Sequence, residues 1–444
     1  MWPVVVAGTF AFVALLSARS QAVGPPPQAG AAGVTFTRDV APILQRKCQV
    51  CHQPNSIAPM SLITYDDARK YARRIRTKVS ERLMPPWHID RTVGIQAFKN
   101  DRSLSDKEID TLVRWVDGGT PAGDPKDMPP PADLRPSDEW QYEPIYGKPD
   151  LVITSPAYTL AARTQDKWFR PVSETGLTEA RWVRAIEIKP VGVSGRRTVH
   201  HVLTTLQQQE EGITGLADSA HDHQTSAGLF MEWAVGKTGE IFPADAGKLM
   251  LPGSRIRWEI HMFAIGEEVK DNRVELGIYF YPKDVVPQRR TVLRMFNVAP
   301  ASRLDIPPNR TAMTQNFYVL QAPARLENFQ PHMHMRGKAM SMEAIYPDGR
   351  REVLSHVDKF QWNWHVNYVY ADHTAPLLPK GTVLVFTAWH DNTAQNPNNP
   401  DPKQWVGWGD RTVDEMAHAW VDVTYLNPED LQKLLAERKV KRQN

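Results

Sequence analysis

Apolar residues recur at helical spacing in three stretches near the N-terminus and at strand spacing through most of the remaining chain. Thr37 opens a short helix in which Val40, Ile43 and Leu44 share one face. Thr64-Tyr65-Asp66-Asp67 has the form of a capping box, and Ala68, Tyr71, Ala72, Ile75, Val79 and Leu83 follow at helical spacing. A cleaner box, Ser105-Asp106-Lys107-Glu108, opens a third helix with Ile109, Leu112, Val113 and Val116 inward and Gly118-Gly119 as its stop. Further on the period changes to two. Strands are predicted at 182–189, 198–206, 255–263 and 273–281, the last alternating cleanly through Val274, Leu276, Ile278 and Phe280. A second set of strands extends from Phe317 to Tyr425.

This pattern predicts a multidomain chain: a small all-α domain at 34–122, then two all-β sandwiches of jelly-roll-like type at 146–310 and 311–427. A Pro- and Asp-rich stretch at 123–145 reads as a semi-rigid linker, and 428–444 as a short basic helical tail. At 444 residues the chain exceeds one ordinary core, and its 36 prolines fit many loops and short strands. The net charge of +3 comes from 53 basic and 50 acidic residues with no long block of either sign, which argues against nucleic acid as a partner. An uncharged apolar run from Trp2 to Leu16, ending in Ser20-Gln21-Ala22, reads as a secretory signal over 1–22. An uncleaved anchor is the alternative, although the run is short for a span. The expected location is periplasmic or secreted, with no stable membrane span in the mature chain.

Both cysteines of the chain fall in Cys48-Gln49-Val50-Cys51-His52, the attachment pattern of covalent haem c. Two thioethers hold the porphyrin and the adjacent histidine ligates iron. No cysteine is left for a disulfide, a zinc thiolate or a blue-copper site. The sixth iron ligand is assigned to Met84, where Met84-Pro85-Pro86-Trp87 follows a helix and the prolines fix an extended loop; Met60 and His88 are the alternatives. The stretch from Phe36 to Pro125, including Ala58-Pro59-Met60-Ser61-Leu62 and Met84-Pro85-Pro86-Trp87, resembles class I cytochrome c domains fused to larger periplasmic bacterial proteins.

The second chemical signal is Gln330-Pro331-His332-Met333-His334-Met335-Arg336-Gly337, read with Asp414-Glu415-Met416. On a strand His332 and His334 point to one face, and a Met416 thioether beside two imidazoles suits Cu(I) better than zinc, magnesium or calcium. A second three-ligand set is His200-His201 with His261. Neighbouring strand residues face opposite ways, so this doublet reaches one metal only at a strand end or bulge, or through different ring nitrogens. His221, His223, His356, His365, His373 and His418 show no comparable spacing and read as surface or core residues, with His390 an open case.

In order and relative placement, His200-His201, His261, His332-x-His334 and Asp414-Glu415-Met416 resemble the copper type II, ascorbate-dependent monooxygenases, over about residues 150–427. The resemblance implies two sandwiches facing each other across a solvent-filled cleft. It further implies two copper ions: an electron-storing one on His200, His201 and His261, and an oxygen-binding one on His332, His334 and Met416. Peptide-hydroxylating members grip substrate with an arginine and a tyrosine where this chain has Gln330 and Trp420, and their disulfides have no counterpart here. The expected function is a periplasmic copper monooxygenase that hydroxylates a C–H bond of a small-molecule or peptide-like organic substrate with O2. A periplasmic electron donor would feed it through the fused haem. Two rival readings are a non-catalytic haem and copper electron-transfer or copper-handling protein, and a zinc hydrolase or sugar-binding sandwich using His200, His201 and His261.

Overall fold

The structure, a computed structural model, describes residues 33–209, 228–299 and 303–441. The predicted signal at 1–22 and the histidines His221 and His223 lie outside them. The chain is mostly β-sheet with few helices. Among the described residues no helix is long and apolar enough to cross a membrane.

Helices start where the caps place them, but the run from Ala68 to Leu83 is two helices, broken at Tyr71 and ended at Ser80. Phe36–Val40 and Ala41–Lys47 lead into the cysteine turn, Tyr65–Lys70 and Ala72–Ser80 follow, and Asp106–Asp117 closes the set. Both capping boxes form: Thr64 with Asp67 and Ser105 with Glu108 satisfy each other's amides reciprocally. Phe36, Leu44, Ile75, Leu112 and Trp115 meet in a core of their own. The chain then leaves that core. Trp87 and Ile89 bury themselves in the C-terminal half, where Trp87 packs edge-on against Tyr368 with centroids 4.8 Å apart. Bridges Ile89↔Val357 and Phe98↔Tyr370 hold the stretch there. Residues 123–145 also lie against the β region, with the Gln141 and Tyr142 amides donating to the buried Glu187 carboxylate at 2.7 Å each.

Among the described residues three larger sheets carry the β region, with two further sheets of two strands each. An eleven-stranded sheet runs through both halves of the chain. Arg289–Asn297, assigned from sequence to the first half, pairs in parallel with Ala246–Met250 on one side and antiparallel with Ala417–Tyr425 on the other. The division at 310 therefore crosses a continuous sheet. A five-stranded sheet built on Arg255–Met262 and Val199–Gln207 covers the first part, where Ile186, Ile188, Leu276 and Ile278 share a core with Val202, Ile256, Trp258 and Ile260. A four-stranded sheet covers the second part, where Leu326, Phe329, Val421 and Val423 share a core with Met340, Met342, Leu384 and Phe386.

Where the halves join, buried charges are paired. The Lys248 ammonium donates to Phe230 O at 2.6 Å and lies 3.3 Å from both Glu240 and Asp422. Lys237 reaches Glu240 at 2.7 Å, Glu232 at 3.3 Å and Gln330 at 3.2 Å. Such ions stay inside a fold only when each finds partners.

Candidate metal centre

His200 and His201 open the strand Val199–Gln207, directly after the helix Gly192–Thr198. Opposite them, His261 pairs with His201 while Met262 pairs with Val199, so His200 is the extra residue of a bulge. That irregularity lets both rings of the doublet serve one spot. His200 Nδ1 lies 3.2 Å from His201 Nδ1, and His261 Nδ1 lies 3.4 Å from the same atom. His261 Nε2 faces Asp166 Oδ2 at 3.4 Å. Because an ionised carboxylate only accepts, the proton sits on Nε2 and the Nδ1 lone pair is left for a metal. The contact also holds the Asp166 carboxyl well below the usual carboxylate range.

His332 lies on the strand Asn328–Met333 and His334 just past its end. Met333 faces the other way, into the apolar core. Gly337 makes the following turn passable, since a Cβ there would stand 2.5 Å from Met333 Cβ. Asp414 and Glu415 fasten the motif. The Asp414 carbonyl lies 3.2 Å from His334 Nδ1, while the Glu415 carboxylate accepts the His334 amide at 2.9 Å and the Arg336 amide at 2.5 Å. His334 Nε2 is left without a partner, and so are both ring nitrogens of His332, all three buried. Met416 lines one cavity with His332 and His418.

Burial, ahead of repulsion from neighbouring imidazoles, pushes the His200 pKa down to about 3 and holds His201 and His332 well below their ordinary range. Burial likewise takes His334 to about 4 and His418 to about 3. At neutral pH these rings are uncharged, the form that ligates metal.

The two sets do not face each other across open solvent, as the resemblance implies. His201 and His332 meet ring to ring with centroids 5.5 Å apart, because the strands that carry them belong to sheets packed on each other across the joint. The open space is a cavity of about 440 Å³ beside them, walled by Leu203, Leu229, Met295, Trp168, Trp408 and Trp420, with Arg170 and Arg257 also in its lining. Gln330 is kept out of it: fully buried, it donates to the His365 carbonyl at 3.0 Å and accepts from Lys237. Trp420 does line it, with its buried indole N–H unpartnered.

Three contributors escaped the sequence reading. His418 stands opposite His332 in the antiparallel ladder and stacks on it at 4.3 Å; its position two residues after Met416 was a usable period-two signal. His365 and Asp166 sit outside the regular strands, where no periodicity marks them.

In the helical part, Cys48 and Cys51 are free thiols joined by a Cys51 amide to Cys48 carbonyl bond of 3.1 Å. Burial pushes the Cys48 thiol up to about 12. His52 Nδ1 lies 3.1 Å from the Met60 carbonyl, which orients the ring and leaves Nε2 for a ligand. Two thiols one turn apart beside an oriented imidazole fit covalent haem. A cavity of about 150 Å³ opens beside Cys51 and reaches Arg102, Trp233 and Gly236. Met84 borders a separate small cavity with Val79, Leu104 and Ile109, and His88 lies against Tyr368 of the C-terminal half.

No protein-family model matches this sequence, and no curated protein matches it. Among solved structures, the chain has a TM-score of 0.28 and 8% identity to cowpea mosaic virus top component, over 67% of this chain and 96% of that one. To the infectious bursal disease virus VP2 subviral particle the values are 0.17 and 11%, over 63% and 72%. Likenesses this slight carry no argument about function.

Proposed function

We propose that this protein is a copper-dependent monooxygenase whose electrons arrive through a fused c-type haem. The observation that carries the reading is His332: fully buried, it has two unpartnered ring nitrogens, its ring centroid is 5.2 Å from that of His334, whose Nε2 is also unpartnered, and Met416 lines the same cavity. Burying such groups costs free energy unless something binds them, and an imidazole and thioether set selects copper. In this reading the architecture is a small cytochrome c-like helical domain followed by two β-sandwiches.

Copper on the two histidine sets would supply electron storage and O2 binding, and haem on Cys48, Cys51 and His52 would supply electrons. Inserting one oxygen atom into a C–H bond uses O2, two electrons and two protons, and yields the alcohol and water. The chain's own residues have the remaining tasks. Asp166 holds the His261 tautomer, Glu415 holds the backbone of His334 and Arg336, and Trp168, Trp408 and Trp420 offer aromatic faces to a substrate in the cavity. Electron entry is supported by proximity in the chain's own bonding. Arg102 donates from the Cys51 cavity to Gly236 O at 3.3 Å, and the adjacent Val235 amide donates to His200 O at 3.2 Å.

The test is O2 uptake by copper-loaded, reduced protein, coupled to a hydroxylated product. Uptake is expected to vanish in His332→Ala, and haem reoxidation that is the same in that variant counts against the reading. The ring-to-ring contact of the two histidine sets favours one alternative, a non-catalytic electron relay. It would show reversible reduction of both metals with no O2 consumed.

A further inference from the structure

We propose that His201, His332 and His365 form a third metal site, binding one divalent transition-metal ion and tying the two halves of the β region together. The ligand nitrogens of these three side chains lie within 4.8 Å of one another, and all three residues are buried. Ring centroids are 4.4 Å apart for His332 and His365, 5.5 Å for His201 and His332, and 5.6 Å for His201 and His365. His365 Nδ1 is buried without a partner, as are both nitrogens of His332. Three imidazoles with a fourth position open are a donor set suited to copper or zinc.

His365 is held in place rather than merely nearby. Its carbonyl accepts the Gln330 side-chain amide at 3.0 Å, and Gln330 precedes His332 by two residues on the same strand. The ligands come from two sheets and one connecting segment, so an ion here cross-links elements far apart in sequence. An imidazole has two nitrogens. The Nδ1 of His201 is turned toward His200 and His261, which leaves Nε2 for the third ion. Both nitrogens of His332 are unpartnered, so the ring can offer one to each site. Neighbouring ions would then share bridging imidazoles. The proposal rests on the copper reading only through these two shared rings.

The test is a Cu(II) titration of the metal-free full-length protein, followed by elemental analysis and by integration of the copper EPR signal. The expected result is three copper ions per chain, with fewer spins than copper ions because imidazole-bridged cupric ions pair their spins. His365→Ala should bind two and regain part of the missing signal, with the metal-free variant keeping the wild-type circular dichroism. If that variant does not fold, the wild-type spin count decides alone, since two copper ions with full, uncoupled signal overturn the proposal. A wild type that binds only two ions, one lost in each of His200→Ala and His334→Ala and both kept in His365→Ala, would sink the third site and leave the copper reading standing. A wild-type protein that binds no copper would sink both.

Discussion

His261 and Asp166 are locked together at 3.4 Å, and the same carboxylate oxygen of Asp166 takes the Thr412 amide and hydroxyl at 2.8 Å each. One side chain thereby sets the tautomer of His261 in the first half and anchors the loop that leads to Met416 in the second. Asp166→Asn keeps the shape but no longer demands a proton on His261 Nε2. Copper affinity at the first histidine set is expected to fall about 10-fold or more, measured by competition with a chelator. Unchanged affinity would show that His261 needs no such partner.

Glu415 is expected to matter for stability as well as for metal. Its two oxygens take the His334 and Arg336 amides inside the protein, beside a buried Arg336 guanidinium that also donates to Asn392 and the Val413 carbonyl. In Glu415→Gln one of those amides faces an NH2 group instead of an acceptor. Chemical denaturation of the metal-free protein should show a loss of about 2 kcal/mol.

The pH dependence of stability carries the mark of Glu232. Burial, only partly offset by Lys237, raises its pKa to about 7 from an ordinary 4.5. The folded state then holds this proton more tightly than the unfolded chain does, so the group's contribution to stability falls as pH rises from about 4.5 to about 7. Comparing denaturation midpoints of wild type and Glu232→Gln across that window isolates the group. The variant should lose stability less steeply with rising pH, and parallel curves would refute the assignment.

Removing one cation from the buried network should cost more than removing a pair. Lys248→Met leaves the buried Asp422 and Glu240 without one of their cations, with an expected loss of about 3 kcal/mol or more in urea. Adding Asp422→Leu to that variant should recover part of the loss. A double variant weaker than the single one would mean that the network acts through Asp422 hydrogen bonds, such as the 3.3 Å contact from Asn328.

Much of this architecture is written locally. Ser105 with Glu108 and Thr64 with Asp67 specify helix starts because the partners are three residues apart. Val274, Leu276, Ile278 and Phe280 specify a strand because alternation fixes which side is buried. By the same rule His332 and His334 could be read as one-sided, and His418 could have been read with Met416. A bulge at His200 was one of the ways the doublet could serve one spot, since a regular strand would part its two rings, and the register shift opposite His261 and Met262 shows that way taken.

What the sequence determined by itself is therefore the two capped helix starts and the alternation of a strand such as Val274–Phe280, together with the Cys48-Gln49-Val50-Cys51-His52 turn, because each depends on neighbours a few residues away. Only the tertiary structure decided that one sheet runs through both halves, that Trp87 and Ile89 leave the helices for the far core, and that His201, His332 and His365 meet. A strand's period says which residues share a face but not which surface that face will meet. His365 and Asp166 lie in irregular segments that have no period at all.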